Sequence, residues 1–329
     1  MMKSIHKPIV LSICICLAII GMLILSFCLG TTYYSVQEVL GAFFHYRNTE
    51  SQNIIRDIRV PRELGALLVG AALACSGAIM QGVTKNALAD PALLGLNAGA
   101  AMMISVTMAL FRETNFLWLM IAGFLGAVLG GTLVMVIGSS RRGGFNTMRI
   151  VLAGAAISAL LTALAEGIAL LFRLNQSITF WSAGGVAGTT WQQLAYAAPV
   201  ILMIIIVASL TGRQLTALSL GEEMAQGLGV NTHRIRILFS VMTMLLAGVA
   251  VSLVGSLAFV GLMIPHIVRL LIGTDYRLIV PFSALLGGLS IVAADTLARL
   301  AGESPLGAII SIVGVPFFIY LVRKDGKLL

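Results

Sequence analysis

Apolar runs of about 20 residues recur along almost the whole chain, and they constrain its fold more than any other feature. A run of this length crosses the hydrocarbon core of a bilayer as an α-helix, which satisfies its own backbone hydrogen bonds. The runs are continuous, which excludes a transmembrane β-barrel, because barrel strands alternate apolar and polar residues. Only 10% of the residues are charged and 59% are hydrophobic, so little sequence remains for a soluble domain.

We therefore predict an all-α polytopic membrane protein with a single transmembrane domain over residues 1–329. The first run is long for a signal peptide and lacks a cleavage-site pattern, so we expect it to be retained as a span. The eighth run is short and contains Pro265, His266 and Arg269, which favours a broken or re-entrant helix. The predicted spans, about ten by length, are residues 9–29, 64–82, 93–110, 116–138, 150–172, 191–210, 235–256, 259–272, 279–297 and 306–322.

Small residues recur at every fourth position in several spans. Such stripes let helix backbones approach closely where lipid supplies no hydrophobic drive. They predict close helix packing and carry no chemistry. The stripes are Gly70, Ala74 and Ala78, then Gly123, Ala127 and Gly131, then Ala284 and Gly288.

The distribution of Lys and Arg predicts which side of the membrane each loop faces. With a cytoplasmic N-terminus, 14 of the 21 Lys and Arg residues fall on the cytoplasmic side, as the positive-inside rule requires. We therefore expect both termini in the cytoplasm. The net charge of +8 mainly reflects this bias. The basic residues are scattered and lack interleaved aromatic residues, so we expect no nucleic-acid partner.

The loop at about residues 214–230 is a polar, glycine-containing stretch between two apolar runs, on the predicted cytoplasmic side. Ser219 and Glu222 have the spacing of a capping box at a helix start. Gly229 stands where a helix end favours a left-handed residue. We interpret this ordered loop as a handle for a soluble partner, with an ordinary structured turn as the alternative.

Arg56, Arg59 and Arg62 cluster on the predicted outer side, against the orientation rule. They are either solvated side chains offset by Asp57 and Glu63, or a docking patch for an acidic partner. The charges alone leave both interpretations open.

Two acidic residues, Glu166 and Asp295, interrupt apolar spans. Ionisable groups there normally face the bundle interior or a water path. Arg299 follows Asp295 at the helical pairing distance of four residues, which favours a structural ion pair. Glu166 has no such neighbour, so it is a candidate pathway-lining residue, with a contact to another helix as the alternative.

An internal repeat is indicated by the match of residues 67–70 with residues 245–248, which also aligns Gly77 with Gly255 and Ala87 with Pro265. The two copies begin five spans apart. An odd number of crossings inverts the second copy relative to the first, as in many transporters.

The sequence contains no Walker-type, HExxH or GxSxG motif. The four cysteines show no metal-binding or disulfide spacing, and we expect them to be packing residues. We therefore predict that the chain is not an enzyme and binds no metal or cofactor.

Several ordered motifs together resemble the FecCD (BtuC-like) family, the permease subunits of ABC importers for iron-siderophores, haem and cobalamin. The match runs from Arg56 to the C-terminus, with one departure: Ala87 stands where the family usually has proline. The segments that carry it are IRVPR at 58–62, GAALACSG at 70–77, QG at 81–82, ADPALLG at 89–95, LSLGEE at 218–223, FVGLMIPHIVR at 259–269, AD with AR at 294–299, and GAII with GVP at 307–316.

The resemblance implies a BtuC-like fold of ten spans that pairs with a second permease subunit, either another copy or a paralogue. It implies a bacterial cytoplasmic membrane location and two cytoplasmic ATP-binding subunits, which use ATP and Mg. It also implies an extracytoplasmic substrate-binding protein that delivers an iron-siderophore chelate or, alternatively, haem or cobalamin.

The resemblance also assigns roles to individual residues. Arg59, Arg62 and Arg299, with Arg56 beside them, match the arginines that dock the binding protein. The residues matching the family's coupling helices, which contact the ATPase, are Ser219, Leu220, Gly221, Glu222, Glu223, Ala225, Leu228 and Gly229.

Two other classes remain as alternatives. An ion-coupled secondary transporter, in which Glu166 and Asp295 relay protons or sodium, shares the inverted repeat. It does not account for the ordered cytoplasmic loop. The second alternative class is a non-transporting membrane assembly factor.

Overall fold

A computed structural model of the chain describes residues 3–111, 115–139 and 147–325. Within these ranges the secondary structure is helical, with short loops between helices and no strand. A π turn spans Ile55–Arg59, and a 3-10 turn spans Pro91–Leu94. The α-helices are α1 Lys3–Cys28, α2 Val36–Phe44, α3 Glu50–Ile54, α4 Val60–Thr84, α5 Leu96–Leu110, α6 Phe116–Ser139, α7 Thr147–Leu171, α8 Asn175–Ser182, α9 Trp191–Leu210, α10 Gly212–Leu220, α11 Glu222–Gly227, α12 Thr232–Val254, α13 Val260–Ile272, α14 Tyr276–Leu300 and α15 Leu306–Asp325.

The predicted span count agrees with the helices of the structure. Within the described ranges, seven helical stretches are long and apolar enough to cross a membrane. Three shorter apolar helices, Leu96–Leu110, Val260–Ile272 and Leu306–Leu321, complete the set of ten. Four of the cations in the charge count, Arg112, Arg141, Arg142 and Lys327, lie outside the described residues.

The eighth span is short but continuous. Its helix, α13, has 13 residues and keeps Pro265 within it. The predicted break is therefore wrong, whereas the re-entrant alternative stays a prediction. One proline removes a single intrahelical hydrogen bond, and the helix continues on both sides of it.

Pro61 explains the π turn before α4. Its ring nitrogen has no hydrogen to donate back along the helix, and the preceding Val60 N–H donates to the Ile55 carbonyl five residues earlier. The turn inserts one residue into the helix without ending it. Residues 50–84 therefore form one continuous helical stretch.

Helix α4 packs on its neighbours through glycine backbones. A Cβ atom added at Gly70 would collide with the carbonyl of Gly287 in α14, and one added at Gly77 would collide with the carbonyl of Gly261 in α13. Only glycine allows backbones to approach this closely, and close approach is the main source of helix association in lipid. The small-residue stripe predicted for this span therefore marks a real contact.

The two ends of the bundle can be named from the residues that meet there. At one end, which we call the Arg62 end, the start of α4 meets the end of α14 through Arg62 and Asp295. At the other, the α10–α11 end, the last turn of α4 meets α10 and the start of α14, where Gly82 lies beside Leu215 and Tyr276.

Two four-helix units, α4–α7 and α12–α15, share one layout: a long helix, a break, a short helix and two longer helices. Helix α4 begins at the Arg62 end, whereas α12 begins beside α11, where Thr232 contacts Glu222. The units run in opposite directions, which agrees with the predicted inverted repeat.

The predicted register of the repeat is wrong. Gly77 lies inside α4, whereas Gly255 follows the end of α12. Ala87 lies in a loop, whereas Pro265 lies inside α13. The connections differ in length between the two units, so a constant offset cannot align them.

We expect Gly77→Ala to lower the melting temperature of the detergent-purified protein by several degrees, because its methyl group forces α4 away from α13. Overpacking of this kind typically costs about 1–3 kcal/mol. The control is Gly21→Ala in α1, where nothing lies within 4 Å of the added atom. Equal melting temperatures for the two variants would contradict the close contact.

Candidate functional sites

A network of buried ion pairs closes the Arg62 end between α1, α4 and α14. Arg62 donates to both carboxylate oxygens of Asp295, at 2.8 and 3.0 Å. Arg299 lies 3.3 Å from Asp295, pairs with Glu63 and donates to Ser26. The Asp295–Arg299 pair predicted from the sequence is confirmed. The four charged residues are at most 8% exposed, and such charges are tolerated only when paired.

Arg59 closes the end of α1. Its guanidinium donates to the carbonyl oxygens of Phe27 at 2.5 Å, Leu29 at 3.2 Å and Thr32 at 2.5 Å. It also stacks on Tyr34, 4.4 Å from the ring centroid. The last carbonyls of a helix have no partner within it, and Arg59 donates to those at the end of α1.

Three of the four arginines predicted to dock a binding protein are buried. Arg59, Arg62 and Arg299 are 5%, 8% and 4% exposed, so little of each side chain is accessible in the single chain, and their docking role stays a prediction. The charge pattern revealed the cations and the Asp295–Arg299 pair. It did not reveal that Arg59 donates to backbone carbonyls at the end of α1 or that Arg62 pairs with Asp295. Arg56 alone among the four is exposed, stacked on Tyr46 at 4.4 Å.

The sequence reasoning missed Glu303 as a partner of Arg62. Its carboxylate accepts from Arg62 Nη2 at 2.9 Å, and its side chain remains 43% exposed. Glu303 is 241 positions from Arg62 in the sequence, and no local spacing rule could have paired them.

Helices α10 and α11 form a two-helix element at the opposite end. They meet at Gly221, whose φ of 133° lies in a region that favours glycine. Leu215, Leu218 and Ala225 are fully buried and anchor the element. The Tyr276 N–H donates to the Thr216 hydroxyl at 3.0 Å, which ties α10 to the start of α14.

The element exposes an apolar surface, which we call the α11 patch: Leu220, Met224 and Leu228, with 60%, 61% and 68% exposure. Beside it, Glu222 pairs with Arg236 at 3.2 Å and accepts from Thr232 at 3.3 Å. A contiguous exposed apolar patch beside charged residues is typical of a protein contact.

The capping box predicted for Ser219 and Glu222 is wrong. Ser219 lies within α10 and donates to the Thr216 carbonyl at 2.7 Å, whereas Glu222 is the first residue of α11. Gly221 separates the two helices, so the two residues do not share a helix start.

The helix end predicted at Gly229 is confirmed. Gly229 has a φ of 77°. Its N–H donates to the Gln226 carbonyl at 2.9 Å, and the Val230 N–H donates to the Ala225 carbonyl at 2.9 Å. These are the two hydrogen bonds of a Schellman motif.

Glu166 lies on the exposed surface of the single chain, within the span Met148–Leu171. It forms no ion pair with another described residue. Leu170, about one turn later on the same face of α7, is also exposed. A carboxylate at membrane depth is costly against lipid, so this face of α7 needs a covering partner or a water path.

Comparison with known proteins gives consistent matches over nearly the whole chain. The model of the FecCD transport family matches residues 16–324. The chain is 43% identical to the iron(3+)-hydroxamate import system permease protein FhuB of Bacillus subtilis (strain 168), covering 95% of this chain and 82% of that protein. It is 38% identical to the hemin transport system permease protein HmuU of Yersinia pestis, with coverages of 85% and 86%.

The fold also matches a solved structure. That structure is described as an inward-facing conformation of a metal-chelate type ABC transporter. The TM-score is 0.83 at 26% sequence identity, covering 94% of this chain and 97% of the other.

We expect Asp295→Asn to lower the free energy of unfolding by about 3–5 kcal/mol, because it leaves two buried guanidinium groups without their shared carboxylate. The measurement is reversible unfolding of the purified protein in mixed detergent micelles. Glu303→Gln is the control: its carboxylate is 43% exposed, and such pairs contribute at most about 1 kcal/mol. Similar losses for both variants would contradict the assignment of Asp295 as the centre of the network.

Proposed function

The chain belongs to the FecCD transport family of ABC transporter permeases, and from this membership we propose that it is the permease subunit of an importer for an iron-siderophore chelate. The observation that carries the proposal is the 43% identity to FhuB over 95% of the chain. The chain itself supplies the membrane path, and separate subunits hydrolyse ATP with Mg. It acts in the bacterial cytoplasmic membrane as a multi-pass protein.

We propose that the Arg62 end faces outward and the α10–α11 end faces the cytoplasm, with both termini inside. The charge bias of the loops supports this orientation. It places α10 and α11 where a soluble ATPase can reach them, and Arg56 where a binding protein can.

The α11 patch is the proposed contact for the ATP-binding subunit. Its apolar side chains are exposed, and removing them from water against a partner would favour association. Leu215, packed at Gly82 of α4, and Thr216, bonded to Tyr276 of α14, join the element to the membrane helices. A displacement of the element would therefore move α4 and α14.

Transport requires that the chelate bind differently to the two states of the permease pair. A ligand with equal affinity for both states shifts neither. ATP binding and hydrolysis in the partner subunits would change the position of α10 and α11, and the pair would change which side its central cavity faces.

We expect Met224→Asp with Leu228→Asp to lower the affinity of the permease for its ATPase subunit more than tenfold. Each introduced carboxylate is solvated in the free permease and would lose that water when the ATPase subunit covers the patch. The measurement is co-purification at graded salt, with chelate uptake in cells as a second readout. Leu210→Asp is the control, since Leu210 is 77% exposed at the end of α9 and outside the element. Wild-type affinity in the double variant would refute the patch as the contact.

Glu166 is the proposed pathway-lining residue, facing the second permease subunit. Its exposure in the single chain supports this role, because a partner subunit removes the carboxylate from lipid. Whether the partner is a second copy or a paralogue does not alter the argument.

We expect Glu166→Cys to react with a charged, membrane-impermeant thiol reagent in the assembled transporter, because thiolates form only in contact with water. Cys14 and Cys16, exposed on the apolar helix α1, serve as lipid-facing controls within the same chain. Labelling of position 166 no faster than these two cysteines would show that α7 faces lipid.

Arg56 is the proposed direct contact for the binding protein, since its guanidinium is the accessible one. Arg59, Arg62 and Arg299 would act by holding α1, α4 and α14 in the arrangement that presents it.

The test of the cargo is a chelate panel. We expect the cognate binding protein to bind ferric hydroxamate chelates and to support uptake of their radiolabelled iron only in cells that carry this chain. Haem belongs in the panel because of the 38% identity to HmuU, and cobalamin is the further alternative. Binding and uptake of haem or cobalamin, with none of any siderophore chelate, would overturn the proposed cargo.

A further inference from the structure

A groove of about 380 Å³ opens at the α10–α11 end, beside the α11 patch. It lies between the end of α4, helix α10 and the connection from α13 to α14. Leu220 lines the groove and also belongs to the patch. The groove is therefore continuous with the surface proposed to contact the ATP-binding subunit.

The groove carries positive charge without a carboxylate in its lining. Lys85 and Arg269 line it, and the other lining residues are uncharged. Neither cation forms an ion pair with another described residue. Asp275 is the neighbouring acid, but Arg277 holds its carboxylate at 2.6 Å.

Asp275 is committed to its existing partners. The Arg277 side chain donates to it and lowers the pKa of its carboxyl group, so Asp275 remains ionised. Its Oδ1 also accepts from Thr216 at 3.3 Å. Asp275 therefore does not neutralise Lys85 or Arg269.

Arg269 is held in position before any partner arrives. The amide of Gln81 donates to the carbonyls of Gly261 and Leu262, both at 3.2 Å. Its oxygen then accepts from Arg269 Nη2, while Arg269 Nη1 lies 3.5 Å from the hydroxyl of Tyr276. A fixed guanidinium loses little conformational entropy when it binds an anion.

Lys85 is also constrained by the backbone. It ends α4 in the left-handed region, with φ 52° and ψ 30°, where glycine or asparagine is tolerated best. Residues held in sparsely populated conformations tend to occur at functional sites. The side chain is exposed, so its ammonium group is available to a partner.

We propose that this groove receives an acidic side chain of the ATP-binding subunit between Lys85 and Arg269. The inference rests on the proposed function, and it adds a charged contact to the apolar one at the α11 patch. Leu220 joins the groove to the α11 patch, which favours a carboxylate of the ATP-binding subunit over a lipid headgroup as the occupant. A charge pair at this position would fix the register of the subunit and make its association sensitive to salt.

The experiment compares Lys85→Gln, Lys85→Arg and the control Lys7→Gln in the assembled transporter in nanodiscs. Lys7 is an exposed lysine of α1 that lines a separate, apolar groove instead. We expect Lys85→Gln to raise the Kd of the cognate ATPase subunit about tenfold at low salt and to flatten its salt dependence. We expect Lys85→Arg and Lys7→Gln to stay within about twofold of wild type.

Carbodiimide coupling then identifies the contact, because it joins an amine to a carboxylate only when they touch. We expect wild type to form an amide between Lys85 and an acidic residue of the ATPase subunit, and Lys85→Arg to form none there.

Unchanged affinity in Lys85→Gln, or coupling of Lys85 to its own chain, would overturn the inference. Unchanged affinity with loss of co-purified anionic lipid would instead assign the groove to a lipid headgroup. If the wild-type chain binds no ATPase subunit, the proposed function is wrong as well.

Discussion

The backbone contact of α4 with α13 and α14 is the interaction on which the rest of the structure depends. Gly70 lies against the carbonyl of Gly287, and Gly77 lies against that of Gly261. In lipid, no hydrophobic drive compensates for a gap between helices, so close contact itself holds the bundle together. It also sets the distance at which Arg62 reaches Asp295 at one end.

Helix α4 connects the Arg62 end of the bundle to the α10–α11 end. Its first turn carries the buried ion pairs that close the Arg62 end. Its last turn carries Gln81, and Lys85 caps its C-terminus, both at the groove. Helix α14 runs alongside and is bonded to α10 through Tyr276. Densely packed helices with charged contacts at both ends move between discrete arrangements and do not bend continuously. Such a bundle can transmit a displacement at the α10–α11 end to the Arg62 end.

The sequence predicted the elements that depend on local pattern and missed those that depend on distant partners. Apolar length identified the ten spans, and four-residue spacing identified the Asp295–Arg299 pair. A glycine at an expected helix end identified the left-handed Gly229. The burial of Arg62 depends on carboxylates more than 230 positions away, which no local rule can pair. The capping box was wrong because Gly221 turns the chain between its two residues.

The central claim is that the chain is a passive conduit whose driving force comes from a separate ATPase. It is tested most directly by chelate accumulation in sealed proteoliposomes, with the binding protein supplied on the side of the Arg62 end. With the ATPase subunits present and ATP on their side of the membrane, we predict accumulation against a gradient, and none when the ATPase is omitted. Accumulation by the permease alone, driven by a proton or sodium gradient, would contradict the claim.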